Sequence, residues 1–157
     1  MKWAMISRLP KQFSGLKIFV LRLFGAKIGK HCLIEKGVKV WLPWNLRMGD
    51  FLALGRDVEI YNYGIVSIGS MTIISQYAYL CTGTHDFTKS DMPLTWEDIT
   101  IGSEVWVTAR VFVHPGVTIG DGAVIGACSV VTKNMPEWMI CAGNPCKPIR
   151  ERKINLS

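Results

Sequence analysis

The sequence predicts an all-β fold, a parallel β-helix of about five coils that has a short N-terminal helix and one protruding loop. The main observation behind this prediction is that apolar residues recur at every sixth position. The period is clearest towards the C-terminus, where successive hexapeptides each begin with a branched apolar residue. Those leading residues are Ile101, Val107, Val113, Ile119, Ile125 and Val131.

A six-residue period indicates stacked strands, because an α-helix with about 3.6 residues per turn would scatter it over the helix surface. A short strand followed by a turn instead directs every leading side chain at one axis. Each fully buried Ile or Val then contributes about 1.5–3 kcal/mol. Glycine follows the leading residue at Gly102, Gly120 and Gly126, and Asp121-Gly122 adds a turn signal. We expect these residues at corners where φ is positive.

The same register continues upstream in sets of three hexapeptides, each set long enough for one triangular coil. We expect coils to start near residues 28, 48, 68, 101 and 119, so that the β-helix covers residues 28–136. Residues 83–100 interrupt the period and should therefore loop out. Residues 137–157 should form a C-terminal tail that closes the β-helix.

The N-terminal segment, residues 1–27, is both basic and hydrophobic. One interpretation is a helical cap that covers the open strand edges of the first coil. The alternative is interfacial binding to an anionic membrane. The apolar run at residues 13–24 is too short to span a bilayer, and Lys17 and Arg22 interrupt it.

Composition excludes several classes of protein. The chain is 49% hydrophobic and 19% charged, which is typical of a folded domain and not of a disordered chain. Its five cysteines include no C-x-x-C pair, so we do not expect a disulfide framework or a zinc ribbon. We expect instead a reducing, cytoplasmic location. The net charge of +6 favours an anionic partner, but no recognition motif for nucleic acid is present.

Four segments resemble one family. The run from Val113 to Lys133 is similar to the hexapeptide-repeat acyltransferases, and Ala142 to Arg150 resembles the tail that closes their β-helix. Tyr61-Asn62-Tyr63-Gly64 and the run from Tyr79 to Asp86 narrow the likeness to acetyltransferases of the colanic acid biosynthesis type, relatives of galactoside and maltose O-acetyltransferases. The resemblance covers about residues 22–152. It implies a left-handed β-helix, a homotrimer with sites between neighbouring subunits, acetyl-CoA as acyl donor and no metal.

Within this resemblance His85, at the start of the interruption, matches the family's general base. Histidine suits that role because it titrates near neutrality, and a positioned base accelerates a reaction roughly 10²–10⁴-fold. A base needs a group that orients its other ring nitrogen. The carboxylates of the same loop are the candidates, and the sequence leaves the choice among Asp86, Glu97 and Asp98 open.

The resemblance also assigns binding residues. Asn62 matches a residue that contacts the acceptor, and a corner residue of the β-helix is the alternative. Independently of the resemblance, Trp96 is the tryptophan in the loop and could stack on a sugar ring, with a core or interface role as the alternative. Lys and Arg side chains recognise the phosphates of coenzyme A. The positions that match cofactor-binding positions are Ala109, Ala127, Thr132, Lys133, Lys147 and Arg150.

The resulting interpretation is an acetyl-CoA-dependent O-acetyltransferase acting on a sugar hydroxyl of a surface or exopolysaccharide precursor, or of a glycolipid. N-acetylation of an amino sugar and a non-catalytic scaffold remain alternatives. A carbonic anhydrase of the γ type is disfavoured, because His31, His85 and His114 lack that family's H-x4-H spacing. We expect a cytoplasmic enzyme, with peripheral contact at the inner membrane face as the open question.

Overall fold

A computed structural model describes residues 7–154; residues 1–6 and 155–157 of the predicted cap and tail lie outside the described part. The chain begins with a 3₁₀-helix (Lys11–Phe13) and helix α1 (Ser14–Leu23). It then winds into short strands that form three parallel sheets, which we call faces A, B and C. No helix within residues 7–154 is both long and apolar enough to cross a membrane.

The first three coils each contribute one strand to each face. Coil 1 holds β1 (Lys27–Ile28), β2 (Leu33–Ile34) and β3 (Lys39–Val40), followed by a 3₁₀-helix (Pro43–Asn45). Coil 2 holds β4 (Leu46–Met48), β5 (Ala53–Leu54) and β6 (Glu59–Tyr61), and coil 3 holds β7 (Val66–Ile68), β8 (Ile73–Ile74) and β9 (Tyr79–Cys81).

The interruption forms a hairpin, β10 (Gly83–His85) and β11 (Leu94–Trp96), before the winding resumes. Coil 4 holds β12 (Ile99–Ile101), β13 (Trp106–Val107) and β14 (Phe112–Val113), and coil 5 holds β15 (Thr118–Ile119), β16 (Val124–Ile125) and β17 (Val130–Val131). The tail contains β18 (Met139–Gly143) and β19 (Cys146–Glu151).

The predicted register is confirmed on face A. Ile28 pairs with Met48, Met48 with Ile68, Ile68 with Ile101 and Ile101 with Ile119. The three faces enclose a triangular prism. These side chains are at most 9% exposed and stack inside it with the leading residues of the other two faces. The all-β solenoid with one short helix agrees with the predicted left-handed β-helix.

The coil count is slightly higher than predicted. Met135 pairs with Ile119, and β18 pairs in parallel with β16, so the chain starts a sixth turn after coil 5. Strand β19 then returns antiparallel to β18 and covers the last strand of face B. The winding thus extends past residue 136 into the segment expected to be only a tail.

The glycines after the leading residues have a different role from the predicted one. Gly69 and Gly120 do not have positive φ, whereas His31, Phe51 and Met71 adopt it at corners. A Cβ on Gly69 would lie 2.5 Å from the carbonyl carbon of Gly102 in the next coil. These glycines are therefore required by the close stacking of coils and not by turn geometry.

Helix α1 lies over the open end of coil 1. Leu33 and Glu35 donate their N–H groups to coil 2, so the N–H and C=O of Ile34 point away from the solenoid. Ser14 Oγ accepts from Ile34 N at 2.7 Å, and Lys17 Nζ donates to Glu35 O at 2.7 Å and to Ile34 O at 3.2 Å. The helix thus supplies the hydrogen-bond partners that no preceding coil provides.

Candidate functional site

The hairpin that carries His85 leaves the solenoid between face C of coil 3 and face A of coil 4. We call the edge between these two faces the C–A edge. Gly83 pairs with Trp96 and His85 with Leu94, so both strands are fixed to each other. Thr82, fully buried at the base, donates its hydroxyl to Tyr61 O at 3.1 Å and accepts from Gly64 N at 3.0 Å. The base of the hairpin is therefore anchored to coil 2.

The ring of His85 is exposed and has one defined partner. Its Nδ1 lies 2.6 Å from the carbonyl oxygen of Met92, across the loop of the hairpin. A carbonyl oxygen only accepts hydrogen bonds, so Nδ1 must carry the proton in the neutral ring. Nε2 then has a free lone pair and can accept a proton from another group.

Two of the three candidate carboxylates have other partners, and the third, that of Glu97, lies against Gly116. Asp86 accepts from Thr88 N at 3.1 Å and from Thr88 Oγ1 at 2.5 Å, and Lys89 Nζ lies 3.4 Å from its second oxygen. These contacts, the Thr88 hydroxyl foremost, lower the pKa of Asp86. Asp98 accepts from Ile65 N at 2.7 Å. A Cβ on Gly116, which has a φ of +76°, would collide with the Glu97 carboxylate.

The orienting group that the structure provides is thus a main-chain carbonyl, where sequence analysis considered carboxylates. No sequence signal could have identified it, because every residue carries a carbonyl and Met92 has no chemistry of its own. Two main-chain hydrogen bonds fix the geometry of the loop: Asp86 N donates to Pro93 O at 3.0 Å, and Met92 N donates to Lys89 O at 3.1 Å. These bonds turn the Met92 carbonyl towards the ring.

An aromatic patch, made of Trp41, Tyr61, Tyr63 and Trp96, lies beside the hairpin. Trp41 and Tyr63 each pack edge-on against Tyr61, with ring centroids 4.8 and 5.2 Å apart, and Trp96 lies 6.2 Å from Tyr63. Trp96 is 53% exposed and belongs to the same hairpin as His85. Sequence analysis selected Trp96 because it lies in the loop. The other three rings come from coils 1 and 2 and converge with it only in the folded chain.

Asn62 lies inside the corner of coil 2 and has no exposed surface. Its Oδ1 accepts from Leu42 N at 3.0 Å and its Nδ2 donates to Leu42 O at 2.7 Å. Both ends of the amide are therefore used to join coils 1 and 2. In this geometry Asn62 shapes the corner beneath the aromatic patch, and its side chain is not available to an acceptor.

The expected cofactor-binding residues fall into two grooves. Ala109 and Ala127 line a groove of about 360 Å³ together with Gln76 and Trp106, on the edge between faces B and C. The second groove, of about 300 Å³, lies between the end of coil 5 and the tail and is lined by Thr132, Lys133 and Lys147 among others.

Arg150 lines neither groove. It lies on β19 opposite Ile140 and is exposed.

Comparison with known proteins identifies the family. Residues 98–133 match the family model "Bacterial transferase hexapeptide (six repeats)". Over 143 residues the chain is 48% identical to the Escherichia coli K12 protein named "Putative colanic acid biosynthesis acetyltransferase WcaF", covering 91% of this chain and 79% of that protein. This chain belongs to the hexapeptide-repeat acetyltransferases.

Solved structures agree with this assignment. A maltose O-acetyltransferase from Clostridium difficile 630 matches 96% of this chain and 82% of its own, with a TM-score of 0.82 at 23% identity. A galactoside acetyltransferase in complex with coenzyme A matches 87% of this chain and 70% of its own, with a TM-score of 0.73 at 30% identity. The enzyme is accordingly an acyltransferase, as the repeats and the tail predicted.

In this acetyltransferase the two grooves lie on different edges of one prism. The groove with Lys133 shares the C–A edge with the His85 hairpin, two coils further along, which corresponds to roughly 10 Å at the usual strand spacing. The groove with Ala109 and Ala127 lies on the B–C edge, and face C separates it from His85. Among residues 7–154 there is no group of three His, Cys, Asp or Glu side chains that could hold a metal ion.

Proposed function

We propose that this enzyme transfers the acetyl group of acetyl-CoA directly to a sugar hydroxyl, with His85 as general base. The observation that carries the proposal is the hydrogen bond between His85 Nδ1 and the Met92 carbonyl, because it leaves Nε2 free to accept a proton. The Met92 carbonyl is the orienting group in this proposal and makes an orienting carboxylate unnecessary.

The reaction balances without further co-reactants. Nε2 takes the proton of the acceptor hydroxyl while the hydroxyl oxygen forms a bond to the thioester carbonyl carbon. The tetrahedral intermediate then expels the CoA sulfur, and the proton on Nε2 passes to it to give free CoA. No acyl-enzyme is required, so one exposed imidazole suffices for both proton transfers.

Two observations support a sugar as acceptor. Aromatic rings offer apolar faces that stack on sugar rings, and Trp96 brings such a face onto the hairpin that carries His85. The relative at 48% identity is named for colanic acid biosynthesis, and a further relative at 35% identity is named a galactoside O-acetyltransferase. We infer that the acceptor is a sugar hydroxyl in a surface or exopolysaccharide precursor or a glycolipid.

We further propose that the active enzyme is a trimer with acetyl-CoA bound between subunits. Face B supports this, because its outward side chains form an apolar stripe whereas those of face A are polar. The stripe consists of Leu33, Ala53, Ile73, Trp106, Val124 and Ile140. Leu33, Ile73 and Trp106 are 38–48% exposed in the single chain, and association would remove this surface from water.

In the same proposal CoA uses both grooves. The pantetheine arm would follow the main chain at Ala109 and Ala127 of one subunit, towards His85 of its neighbour. Lys133, Lys147 and Arg150 would attract the phosphates, and these cations form no ion pair among the described residues. The neighbouring Thr132 would add a hydroxyl to the same groove. Acetyl-CoA is a cytoplasmic metabolite, and all five cysteines are free, so we place the enzyme in the cytoplasm.

The first experiment is an acetyl-transfer screen against nucleotide sugars and lipid-linked sugars, with mass detection of the product. The His85→Ala variant should lower kcat roughly 10²–10⁴-fold while CoA binds as before. His31→Ala, which removes an exposed histidine stacked on Phe51, is the matched control and should retain activity. Normal turnover by the His85→Ala variant would refute the proposed base, and a product resistant to ester hydrolysis would indicate N-acetylation.

The second experiment tests the shared site by complementation. His85→Ala loses the base, and Ala127→Arg fills the groove on the B–C edge, so each variant alone should be inactive. Co-assembled trimers would contain roughly a quarter of interfaces with both intact halves, and activity should return to about that level. If mixing restores nothing although mixed trimers form, both halves belong to one subunit.

A further inference from the structure

Helix α1 departs from the usual polarity of a helix on a globular protein. Such helices normally direct apolar residues at the core and polar residues at solvent. In α1, Ser14 and Lys17 are buried against coil 1 together with Leu21, and the two polar side chains bond to the free strand edge. Leu16, Phe19 and Leu23 lie on the opposite side and are 47%, 63% and 70% exposed.

The fold explains why polar side chains of α1 face inward, but it does not explain why apolar side chains face outward. The strand edge of coil 1 needs polar partners, and burial lowers the pKa of Lys17 in meeting that need. Nothing among the described residues covers Leu16, Phe19 and Leu23, which we call the α1 outer face. With the neighbouring Phe13 and Phe24, 43% and 37% exposed, it forms a contiguous apolar surface at one end of the prism.

The positive charge of the chain is concentrated in the sequence segment that contains this face. Residues 1–34 contain seven of the eighteen Lys and Arg residues and none of the twelve Asp and Glu residues, so the rest of the chain carries eleven basic and twelve acidic side chains. The whole positive excess of the protein therefore lies in the segment that contains α1. Lys11 and Lys27, which flank the helix, are exposed and form no ion pair within residues 7–154.

We propose that the α1 outer face docks this protein on an anionic lipid bilayer. An apolar helix face bordered by cations is what an interfacial helix presents to a membrane: the apolar side chains enter the boundary of the acyl chains while the cations contact anionic headgroups. The cap contacts of Ser14 and Lys17 hold the helix axis on coil 1, so the protein binds as a rigid body. This docking does not depend on which acceptor the enzyme uses.

The test is co-sedimentation of the full-length protein with vesicles of phosphatidylcholine containing phosphatidylglycerol, and with vesicles of phosphatidylcholine alone. We expect binding to the anionic vesicles only. The triple variant Leu16→Ser, Phe19→Ser, Leu23→Ser should lower the partition coefficient by at least about 10-fold. A control variant, Phe51→Ser, Met71→Ser, Ile154→Ser, removes three exposed apolar residues elsewhere and should bind like the wild type.

A second pair of variants separates charge from apolar contact. Lys11→Glu with Lys27→Glu should lower binding to anionic vesicles at least about 10-fold, because each cation near such a surface adds measurably to the attraction. Should the triple variant fail to fold, Phe19→Ser alone is expected to weaken binding several-fold. Wild-type binding by the triple variant overturns the proposal. Light scattering then identifies the alternative. If the triple variant still binds vesicles but differs from the wild type in molar mass, the α1 outer face is a contact between copies of the chain and the proposal is likewise overturned.

Discussion

His85 Nδ1 and the carbonyl oxygen of Met92 are 2.6 Å apart, although the two residues belong to opposite sides of the hairpin loop. The loop between them is held by Asp86, whose carboxylate accepts two hydrogen bonds from Thr88 and faces Lys89. The orientation of the imidazole is therefore determined by short-range contacts within a few residues and not by the coils beneath.

This arrangement predicts a positioning role for Asp86. Asp86→Ala should lower kcat roughly 10- to 100-fold, because the loop that presents the Met92 carbonyl loses its two bonds to Thr88. The dissociation constant of CoA should stay unchanged, since neither groove contacts the loop. Asp86→Asn retains an oxygen that can accept from Thr88 and should recover most of the activity. Equal losses in both variants would mean that the negative charge itself acts on the reaction.

The contacts of α1 predict a specific loss of stability. Ser14→Ala removes the acceptor for the buried Ile34 N–H, and an unsatisfied buried donor costs about 1–3 kcal/mol. Denaturant unfolding should show a decrease of that size. Ser90→Ala, in the exposed hairpin loop, is the control and should change stability by less than about 0.5 kcal/mol. An unchanged midpoint for Ser14→Ala would show that Ile34 N–H has found another partner.

Two adjacent residues on β15 test the direction of the side chains. Ile119 has no exposed surface, so Ile119→Asp would bury a carboxylate without a partner and should abolish soluble, folded protein. Thr118 points outward from the same strand, and Thr118→Asp should fold with a circular dichroism spectrum like that of the wild type. Recovery of folded Ile119→Asp protein would contradict the register of the ladder.

Burial of a thiol predicts a dependence of stability on pH. Burial, assisted by the nearby Cys146, raises the pKa of Cys141 to about 11, whereas an unfolded thiol titrates near ~8.5. Between these values the unfolded chain loses a proton that the folded chain keeps, so stability falls as pH rises. The raised pKa values of Cys146 and Tyr79 act in the same direction, and the lowered pKa of Lys17 opposes them.

Cys141→Val isolates this effect because it removes the titrating group and keeps an apolar side chain of similar size. The Tm of the wild type should fall from roughly pH 8 to pH 10.5, and the fall should be smaller in the variant. Parallel curves for the two proteins would show that Cys141 does not contribute.

The apolar ladders were predictable because a period of six residues identifies each inward-facing residue from its neighbours in the sequence alone. The starts of all five coils, from Ile28 to Ile119, follow from that period once the breaks in it are assigned to corners and to the looped-out residues 83–100. The sixth turn was missed because β18 lacks the hexapeptide pattern and gains its place by pairing with β16. The positive φ predicted for Gly122 is confirmed, whereas Gly102, Gly120 and Gly126 do not have it. The reason for these three was missed because the distance between stacked coils cannot be seen in a linear pattern.

The site was less predictable because its geometry arises from main-chain contacts in the hairpin loop and from side chains that converge only in the folded chain. Residue type and motif singled out His85, but neither could reveal the Met92 carbonyl. Asn62 was selected as a binding residue because it matches one in the family, although an amide can serve a ligand or a corner of the β-helix equally well. Only burial, with both amide atoms bonded to Leu42, distinguishes the two.

Ile68 pairs with Ile101, so coil 4 stacks directly on coil 3 although the hairpin is inserted between them in the sequence. Hairpins of other lengths and sequences could therefore be exchanged at this point without altering the stacked ladders on either side. Such an exchange would leave the three-sided support unchanged and replace only the loop that carries His85. Under the proposed function, the residues around the base could thus be varied independently of the framework that carries them.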